Sequence, residues 1–160
     1  REALCSSTSP ADMALHLARK KAEKVAAEEP DAVVIGADQT LGFNGEIVQK
    51  PRDRNEARAQ LERLRGNTHE LHSAAVLLHG SEVHTFRDCA RLTMRNFSDS
   101  FLDWYLEAAG ENVLNSVGAY HLEGLGIHLF SEIRGDYFTI LGLPITPLLR
   151  ELRRIGVLAE

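Results

Sequence analysis

The residue whose position best suits it for chemistry is Asp38. It follows a short apolar run at residues 32–35 that is typical of a buried strand. Desolvating a carboxylate is costly unless a ligand or partner uses it, and in open α/β sheets ligands bind beyond the carboxyl ends of the strands. The pattern therefore predicts Asp38 as a catalytic residue at the end of a strand, with turn capping as the alternative role.

Lys21 could supply positive charge to an anionic substrate. It lies on a predicted helix, in an i, i+4 row whose other members are apolar: Met13, Leu17 and Val25. A lysine on such a stripe either binds an anion or lays its methylene groups on the apolar surface with its ammonium in water. The row by itself leaves both roles open.

A second lysine, Lys50, is predicted to come near Asp38 through a hairpin. The pair Asn44-Gly45 favours a type I′ turn, and residues 47–49 have the pattern of the returning strand. The register of a tight hairpin would place Lys50 beside Asp38 and Gln39. The alternative for Lys50 is a solvated hairpin end.

Caps and hydrophobic periodicity predict the elements that position these residues. The predicted helices cover residues 10–28, 53–65, 98–110 and 146–155, and the predicted strands cover 32–38, 47–49, 68–78, 83–95, 127–130 and 136–141. The strands at 68–78 and 83–95 are joined by a short turn and should pair antiparallel. We therefore predict an α/β fold, with a mixed, partly antiparallel twisted sheet and flanking helices.

The composition is that of a globular protein with no surface suited to nucleic acid polymers or membranes. Of the 160 residues, 44% are hydrophobic and 26% are charged, and the net charge of -5 favours no polyanionic partner. No apolar run reaches membrane-spanning length, and no secretory signal is recognisable. We therefore expect neither a nucleic acid polymer nor a membrane as partner.

The cysteines and histidines show no metal-binding spacing. Cys5 and Cys89 form no C-x-x-C pair, and two lone thiols fit a reducing compartment, so a cytoplasmic location is expected. His69 and His72 are three residues apart on a predicted strand and would face opposite sides of it. A zinc site is therefore not expected.

Six short motifs occur in order over nearly the whole chain: Lys21-Ala22, Ile35-Gly-Ala-Asp-Gln-Thr40, Lys50-Pro51, Leu64-Arg-Gly-Asn-Thr-His69, Gly118-Ala-Tyr-His-Leu-Glu-Gly124 and Gly142-Leu-Pro144. This ordered set, with its approximate spacings, resembles the Maf family of nucleoside triphosphate pyrophosphatases. The resemblance implies a single domain over residues 1–160 with a Maf/ITPase-like fold. It also implies a nucleotide cleft between two lobes.

The same resemblance implies a reaction and roles for three of these residues. The reaction is hydrolysis of a nucleoside triphosphate to the monophosphate and pyrophosphate, with Mg²⁺ or Mn²⁺ as divalent metal. Asp38 is implied as the general base for a water near the metal, and as a metal ligand. Lys21 and Lys50 are implied to bind the triphosphate. The nucleotide is the expected partner, and the family also allows a homodimer.

Gln39 and Glu123 are the residues that the resemblance connects with the choice of base. Members that resemble the dTTP and UTP enzymes carry Thr and Gln at these two places, whereas this pair looks like the group that acts on 7-methyl-GTP. A carboxylate accepts the N1–H and N2 amino hydrogens of guanine together, and it suits the positive charge of 7-methylguanine. The alternative for Glu123 is an ordinary surface acid.

The chain departs from the family pattern at its start, and two alternative functions remain open. The family begins with a strand and a Ser-x-Arg motif, which residues 1–10 do not reproduce. We therefore expect the domain to lack that part of the site and the acidic metal ligands near it. The alternative functions are a dTTP or UTP pyrophosphatase of the same family, and a nucleotide-binding regulator of cell division without catalysis.

Overall fold

Helices and strands alternate irregularly along residues 9–159, the part of the chain that the computed structural model describes. The helices are α1 (Pro10–Glu28), α2 (Arg54–Leu64), α3 (Asp99–Ala109), α4 (Tyr137–Ile140) and α5 (Ile145–Arg154). The strands are β1 (Val34–Phe43), β2 (Glu46–Val48), β3 (Thr68–His79), β4 (Glu82–Met94) and β5 (Phe130–Arg134). Short 3-10 helices follow α3, at Gly110–Asn115, Val117–Ala119 and Leu125–Leu129. The expected lack of a Ser-x-Arg strand concerns residues 1–8, which lie outside the described range.

The described strands form one sheet in the order β2-β1-β3-β4-β5, and each neighbouring pair is antiparallel. Both predicted hairpins are confirmed. Phe43 pairs with Glu46 around Asn44 and Gly45, which have φ values of 51° and 80°, as a type I′ turn requires. β3 and β4 pair along their length. The predicted α/β class is therefore confirmed, with helices flanking an antiparallel sheet.

Asp38 lies inside β1, so its predicted position at the end of a strand was wrong. It pairs with Ala74 in the middle of the ladder between β1 and β3. The strand continues beyond it because Thr40 and Leu41 bury their side chains. A polar residue is tolerated there because β2 pairs only with residues 41–43, which leaves the outer edge of β1 open beside Asp38.

Two other predicted strands have a different structure. Residues 136–141 contain the single-turn helix α4, because the Asp136 carboxylate accepts a hydrogen bond from Thr139 N at 3.0 Å and caps the turn. Residues 127–130 belong mostly to a 3-10 helix, and β5 begins only at Phe130. Both segments are short apolar runs, for which periodicity does not separate helix from strand.

α1 packs on the sheet through small side chains. Its fully buried residues are Ala14, Ala18 and Ala22, whereas Val25 of the predicted apolar row is exposed. The packing face is therefore one position further round the helix than predicted. Because these residues are small, α1 approaches β1 closely: a Cβ atom added to Gly36 would lie 2.3 Å from Ala18 O. This approach brings Lys21 within reach of β1.

Replacing Gly36 with alanine is expected to lower the free energy of unfolding by at least about 1–3 kcal/mol, because the new methyl group overlaps the backbone of α1. Chemical denaturation measures the loss. Gly124→Ala is the matched control, since its φ is -117° and an added Cβ would meet nothing closer than His121 O at 3.7 Å. Equal stability of Gly36→Ala and Gly124→Ala would contradict the close approach of α1.

The larger hydrophobic core lies on the other face of the sheet. It is built from alternate side chains of β1, β3 and β4 together with α2, α3 and the 3-10 segments. α2 and α3 begin as predicted, because the side chains of Asp53 and Ser98 cap their first turns. None of the described helices is both long and apolar enough to cross a membrane.

Candidate active site

A cleft lies where the edge of β1 is left open. β2 ends before it reaches the level of Asp38, so this edge pairs with no strand among residues 9–159. A cavity of about 320 Å³ occupies the place. Its lining includes every residue predicted for the site: Lys21, Asp38, Gln39, Lys50 and Glu123. The fold therefore collects, in one cavity, side chains that are far apart in the sequence.

Lys21 and Asp38 form an ion pair in this cleft. The Lys21 ammonium contacts the Asp38 carboxylate through Oδ1 and donates a hydrogen bond to Ala37 O at 3.0 Å. The Asp38 side chain is 18% exposed, whereas that of Lys21 is 59% exposed. The lysine holds the carboxylate in one orientation, and its own charge remains accessible to an anion. Of the two roles left open by the sequence, anion binding therefore fits this position better.

Lys50 reaches the same cleft through the hairpin register. It lies two residues beyond Val48, whose partner in β1 is Leu41, and Gln39 lies two residues before Leu41. The hairpin therefore carries Lys50 to the level of Gln39, next to Asp38. Lys50 is exposed and lines the cavity. With Lys21 it provides two ammonium groups for an anionic ligand.

Gln39 lines the cleft, but its side-chain nitrogen is engaged by the fold. The two hydrogens of this nitrogen are shared among three acceptors, Ser73 Oγ at 2.9 Å, Thr139 O at 2.9 Å and Ile140 O at 3.0 Å. Ser73 Oγ also donates to Thr139 O, at 2.6 Å. These bonds attach α4 to the middle of the sheet, a positioning role that was not evident from the sequence. The side-chain oxygen of Gln39 is the atom that can contact a base.

Glu123 lies in the irregular segment that forms another wall of the cleft. Its side chain is 50% exposed, and His121 Nδ1 lies 3.7 Å from its Oε1. The segment is held against β1 at Gly118, where φ is 76° and an added Cβ would lie 2.7 Å from Leu41 Cδ1. The Glu123 carboxylate is therefore carried on a closely packed segment and can accept hydrogen bonds from a ligand.

A buried histidine that the sequence did not single out supports the same wall. His69 Nε2 lies 2.7 Å from the hydroxyl of Tyr120, which lines the cleft. Burial lowers the pKa of His69 to about 4, so its ring is neutral at pH 7. Burial also raises the pKa of Tyr120. Two features of the sequence could have indicated this role: His69 ends the motif at residues 64–69, and it alternates into the core on the predicted strand.

A family match decides what kind of protein carries this cleft. The family model described as Maf-like protein matches residues 1–155. The chain belongs to the Maf-like family. The resemblance that the six motifs indicated is therefore confirmed over nearly the whole chain.

Known relatives share about half of the residues of this Maf-like chain. A Bradyrhizobium diazoefficiens protein named nucleoside triphosphate pyrophosphatase is 53% identical over 154 residues, which cover 95% of this chain and 76% of the relative. A Rhizobium meliloti protein named 7-methyl-GTP pyrophosphatase is 51% identical over 156 residues, covering 96% and 77%. A Maricaulis maris protein, again named nucleoside triphosphate pyrophosphatase, is 50% identical over 153 residues, covering 95% and 78%. The names agree on the reaction and differ in how narrowly they state the substrate.

Asp38 is the residue of the Maf-like cleft that could hold a divalent metal. Mg²⁺ is commonly held by one or two carboxylates together with substrate phosphates and waters, and Asp38 provides such a carboxylate. Glu123 is a second carboxylate in the lining. No group of three ligand side chains converges here in the part of the chain that the structure describes. A metal in this cleft would therefore need the phosphates of the substrate as further ligands.

The buried His69 predicts that the stability of the Maf-like domain falls on acidification. Its pKa is about 4 in the folded protein, against an ordinary value of 6.5, so the unfolded chain binds more protons between these values. The free energy of unfolding is therefore highest, as far as His69 is concerned, above pH 6.5. It falls by about 3 kcal/mol in total as the pH is lowered towards 4. Urea denaturation at a series of pH values measures it.

The variant His69→Gln, which keeps a hydrogen-bonding group for Tyr120, is expected to lose this part of the pH dependence. His79→Gln serves as control, because His79 is an exposed histidine at the end of the same strand. If His69→Gln kept the full pH dependence of the wild-type protein, the assignment to His69 would be wrong.

Proposed function

We propose that this Maf-like protein hydrolyses a nucleoside triphosphate between its α and β phosphates, releasing the monophosphate and pyrophosphate. The observation that carries the proposal is the ion pair of Lys21 with Asp38, in a cleft at an open strand edge that Lys50 also lines. The arrangement offers a carboxylate for proton transfer and two cations for phosphates. The names of the relatives support the same reaction.

In the proposed reaction Asp38 acts as general base. A carboxylate held in one orientation accepts a proton from a water in the cleft. The water oxygen bonds to the α phosphorus, the bond from that phosphorus to the bridging oxygen breaks, and pyrophosphate leaves with the electron pair. Lys21 and Lys50 stabilise the charge that develops on the phosphates, because they are placed before the reaction begins.

Mg²⁺ or Mn²⁺ is the proposed cofactor, with Asp38 as its ligand from the chain. When bound, such an ion neutralises phosphate charge and activates a water. Lys21 balances the charge of Asp38 in the metal-free protein through their ion pair. Because the described lining of the cleft offers two carboxylates, Asp38 and Glu123, substrate phosphates would supply further ligands, and metal and nucleotide are expected to bind together.

We further propose a preference for 7-methyl-GTP. The half-exposed carboxylate of Glu123 can accept the two guanine hydrogens and offset the positive charge of the methylated base. Gln39 would contact the base through its side-chain oxygen, since its side-chain nitrogen is hydrogen-bonded to α4. The name of the Rhizobium meliloti relative, 7-methyl-GTP pyrophosphatase, supports this preference. The second candidate within the family is dTTP or UTP.

Pyrophosphate release from 7-methyl-GTP, GTP, dTTP and UTP, with Mg²⁺ or Mn²⁺, tests these proposals. We expect release that stops when a chelator is added, with the highest kcat/KM for 7-methyl-GTP. Orthophosphate in place of pyrophosphate, or no release from any nucleotide, would refute the proposed reaction. A preference for dTTP or UTP would leave the reaction standing and refute the proposed substrate.

A further inference from the structure

Three side chains of the kinds that bind zinc converge on the face of the sheet that packs against α1. Glu70 and His72 are two residues apart on β3 and therefore point to the same face. Cys89 lies directly opposite His72 on β4. One ligand atom from each side chain lies within 4.8 Å of the other two. The register of the strands, and not the spacing in the sequence, creates this cluster.

Two of the three ligand atoms lie close to the spacing that a tetrahedral zinc ion requires. Zinc bonds of the usual lengths place neighbouring oxygen, nitrogen and sulfur ligands about 3.3–3.6 Å apart. Glu70 Oε2 and His72 Nε2 are 3.1 Å apart. The Cys89 sulfur lies within 4.8 Å of both of these atoms, and Cys89 is an exposed residue, so its side chain is free to turn towards the ion.

Arg91 orients the carboxylate of this cluster. Its Nε donates a hydrogen bond to Glu70 Oε1 at 2.9 Å, which leaves Oε2 directed at His72. A partner of this kind commonly fixes the orientation of a metal-binding carboxylate. One carboxylate and one thiolate also balance the charge of a divalent ion. The cluster thus has ligands, an orienting group and matching charge.

A separate cavity of about 310 Å³ adjoins the cluster and leaves room for a water as fourth ligand. It is lined by Ala11, His72, Ser73, Arg87, Asp88 and Cys89. It shares none of these residues with the lining of the catalytic cleft. An ion bound here would therefore be distinct from the one proposed at Asp38.

We propose that Glu70, His72 and Cys89 bind one zinc ion that links β3 to β4 beside the first turn of α1. The sulfur and imidazole ligands favour zinc over Mg²⁺ or Mn²⁺. Cys89 binds as the thiolate, and its proton passes to the solvent. The sequence favoured no zinc site because His69 and His72 face opposite sides of β3. That alternation is correct, but the ligands that join His72 at the zinc ion are Glu70 on the same strand and Cys89 on β4.

Cobalt absorption tests the proposal on the full chain. Metal-free, reduced protein titrated with Co²⁺ is expected to show tetrahedral visible bands and a thiolate-to-cobalt band in the near ultraviolet. Both should saturate at one equivalent and disappear when Zn²⁺ is added, but not with excess Mg²⁺. A cobalt spectrum without a thiolate band, or one that Mg²⁺ abolishes, would overturn the proposal.

Variants with matched controls identify the ligands. Cys89→Ser is expected to abolish the thiolate band, and His72→Asn to weaken cobalt binding at least about tenfold. The control Cys5→Ser removes the other thiol, and His84→Asn removes a histidine that also contacts a glutamate two residues away, Glu82, at 3.0 Å. Both controls should bind as the wild type does. A thiolate band that survives in Cys89→Ser, or is lost in Cys5→Ser, contradicts the assignment.

Thermal denaturation provides a second readout that does not depend on catalysis. Zn²⁺ is expected to raise the Tm of the wild-type protein and of Asp38→Asn, but not that of Cys89→Ser, because binding to the folded state alone stabilises it. A zinc effect that disappeared in Asp38→Asn would place the ion in the catalytic cleft and overturn the proposal. Far-ultraviolet circular dichroism confirms that each variant is folded.

Discussion

The Asp38→Asn variant is expected to release pyrophosphate about 10²–10⁴-fold more slowly than the wild-type protein, with most of the loss in kcat. Asparagine has the shape of aspartate but cannot accept a proton from the attacking water. The ion pair with Lys21 is lost as well, although Lys21 can still donate to Ala37 O. Steady-state kinetics with the preferred nucleotide measures the effect.

Asp103→Asn is the matched control for this experiment. Asp103 forms an ion pair with Arg58 between α3 and α2 and does not line the cleft. Each of the two variants therefore removes one carboxylate and one ion pair. The carboxylate removed lies in the cleft in one variant and outside it in the other. The control is expected to keep the wild-type rate. Similar rates for the two variants would rule out Asp38 as the general base.

Glu123→Gln is expected to lower kcat/KM for 7-methyl-GTP relative to UTP by about tenfold to a hundredfold. Hydrogen bonds to a charged group are worth about 1.5–3 kcal/mol, and 1.4 kcal/mol corresponds to about a factor of ten. Glutamine loses the charge that suits 7-methylguanine, and its amide matches the donor and acceptor edge of uracil instead. Competition between the two nucleotides in one reaction measures the ratio directly.

The control for base recognition is Glu111→Gln. Glu111 is exposed on the 3-10 helix that follows α3 and is not part of the cleft lining. It is expected to leave the ratio of the two kcat/KM values unchanged. If Glu123→Gln left the same ratio unchanged, Glu123 would have no part in choosing the base, and the proposed hydrolysis would be unaffected.

The open edge of β1 explains how a strand inside the sheet can carry a polar site. A strand edge presents unpaired peptide groups, which folded proteins usually cover. Here β2 covers the edge only at residues 41–43, and the cleft borders residues 37–39. Asp38 is therefore largely buried, yet it borders a cavity that a phosphate can enter. Shortening or lengthening β2 would be a route to change access to the site.

Local chemistry was sufficient to predict most elements, whereas Gln39 and Glu123 were named for the site through the family resemblance. Asp53 and Ser98 cap helices, and Asn44-Gly45 forms the hairpin turn. Each of these features depends on neighbours within a few residues, which a single sequence displays. The six ordered motifs were sufficient to indicate the Maf family. Five of these motifs contribute residues to the lining of one cleft, and the motif at residues 64–69 does not.

Tertiary packing alone decided where these residues sit and what else they do. Asp38 lies within β1 because Thr40 and Leu41 bury their side chains beyond it, and the short β2 leaves the strand edge open beside it. α1 packs through Ala18 because Gly36 permits a close approach. The side-chain nitrogen of Gln39 donates hydrogen bonds to α4, whose helical form the sequence did not indicate.

The sequence by itself thus indicated the family, the two hairpins and the charged residues proposed for the cleft. These depend on short motifs and turns, which can be recognised along the chain. The sequence did not show which side chains meet across β3 and β4 far from their turn. His72 and Cys89 are paired only by the register of β3 with β4. Register depends on the turn and on how whole strands bury one face, so a pairing far from the turn becomes visible only in the packed sheet.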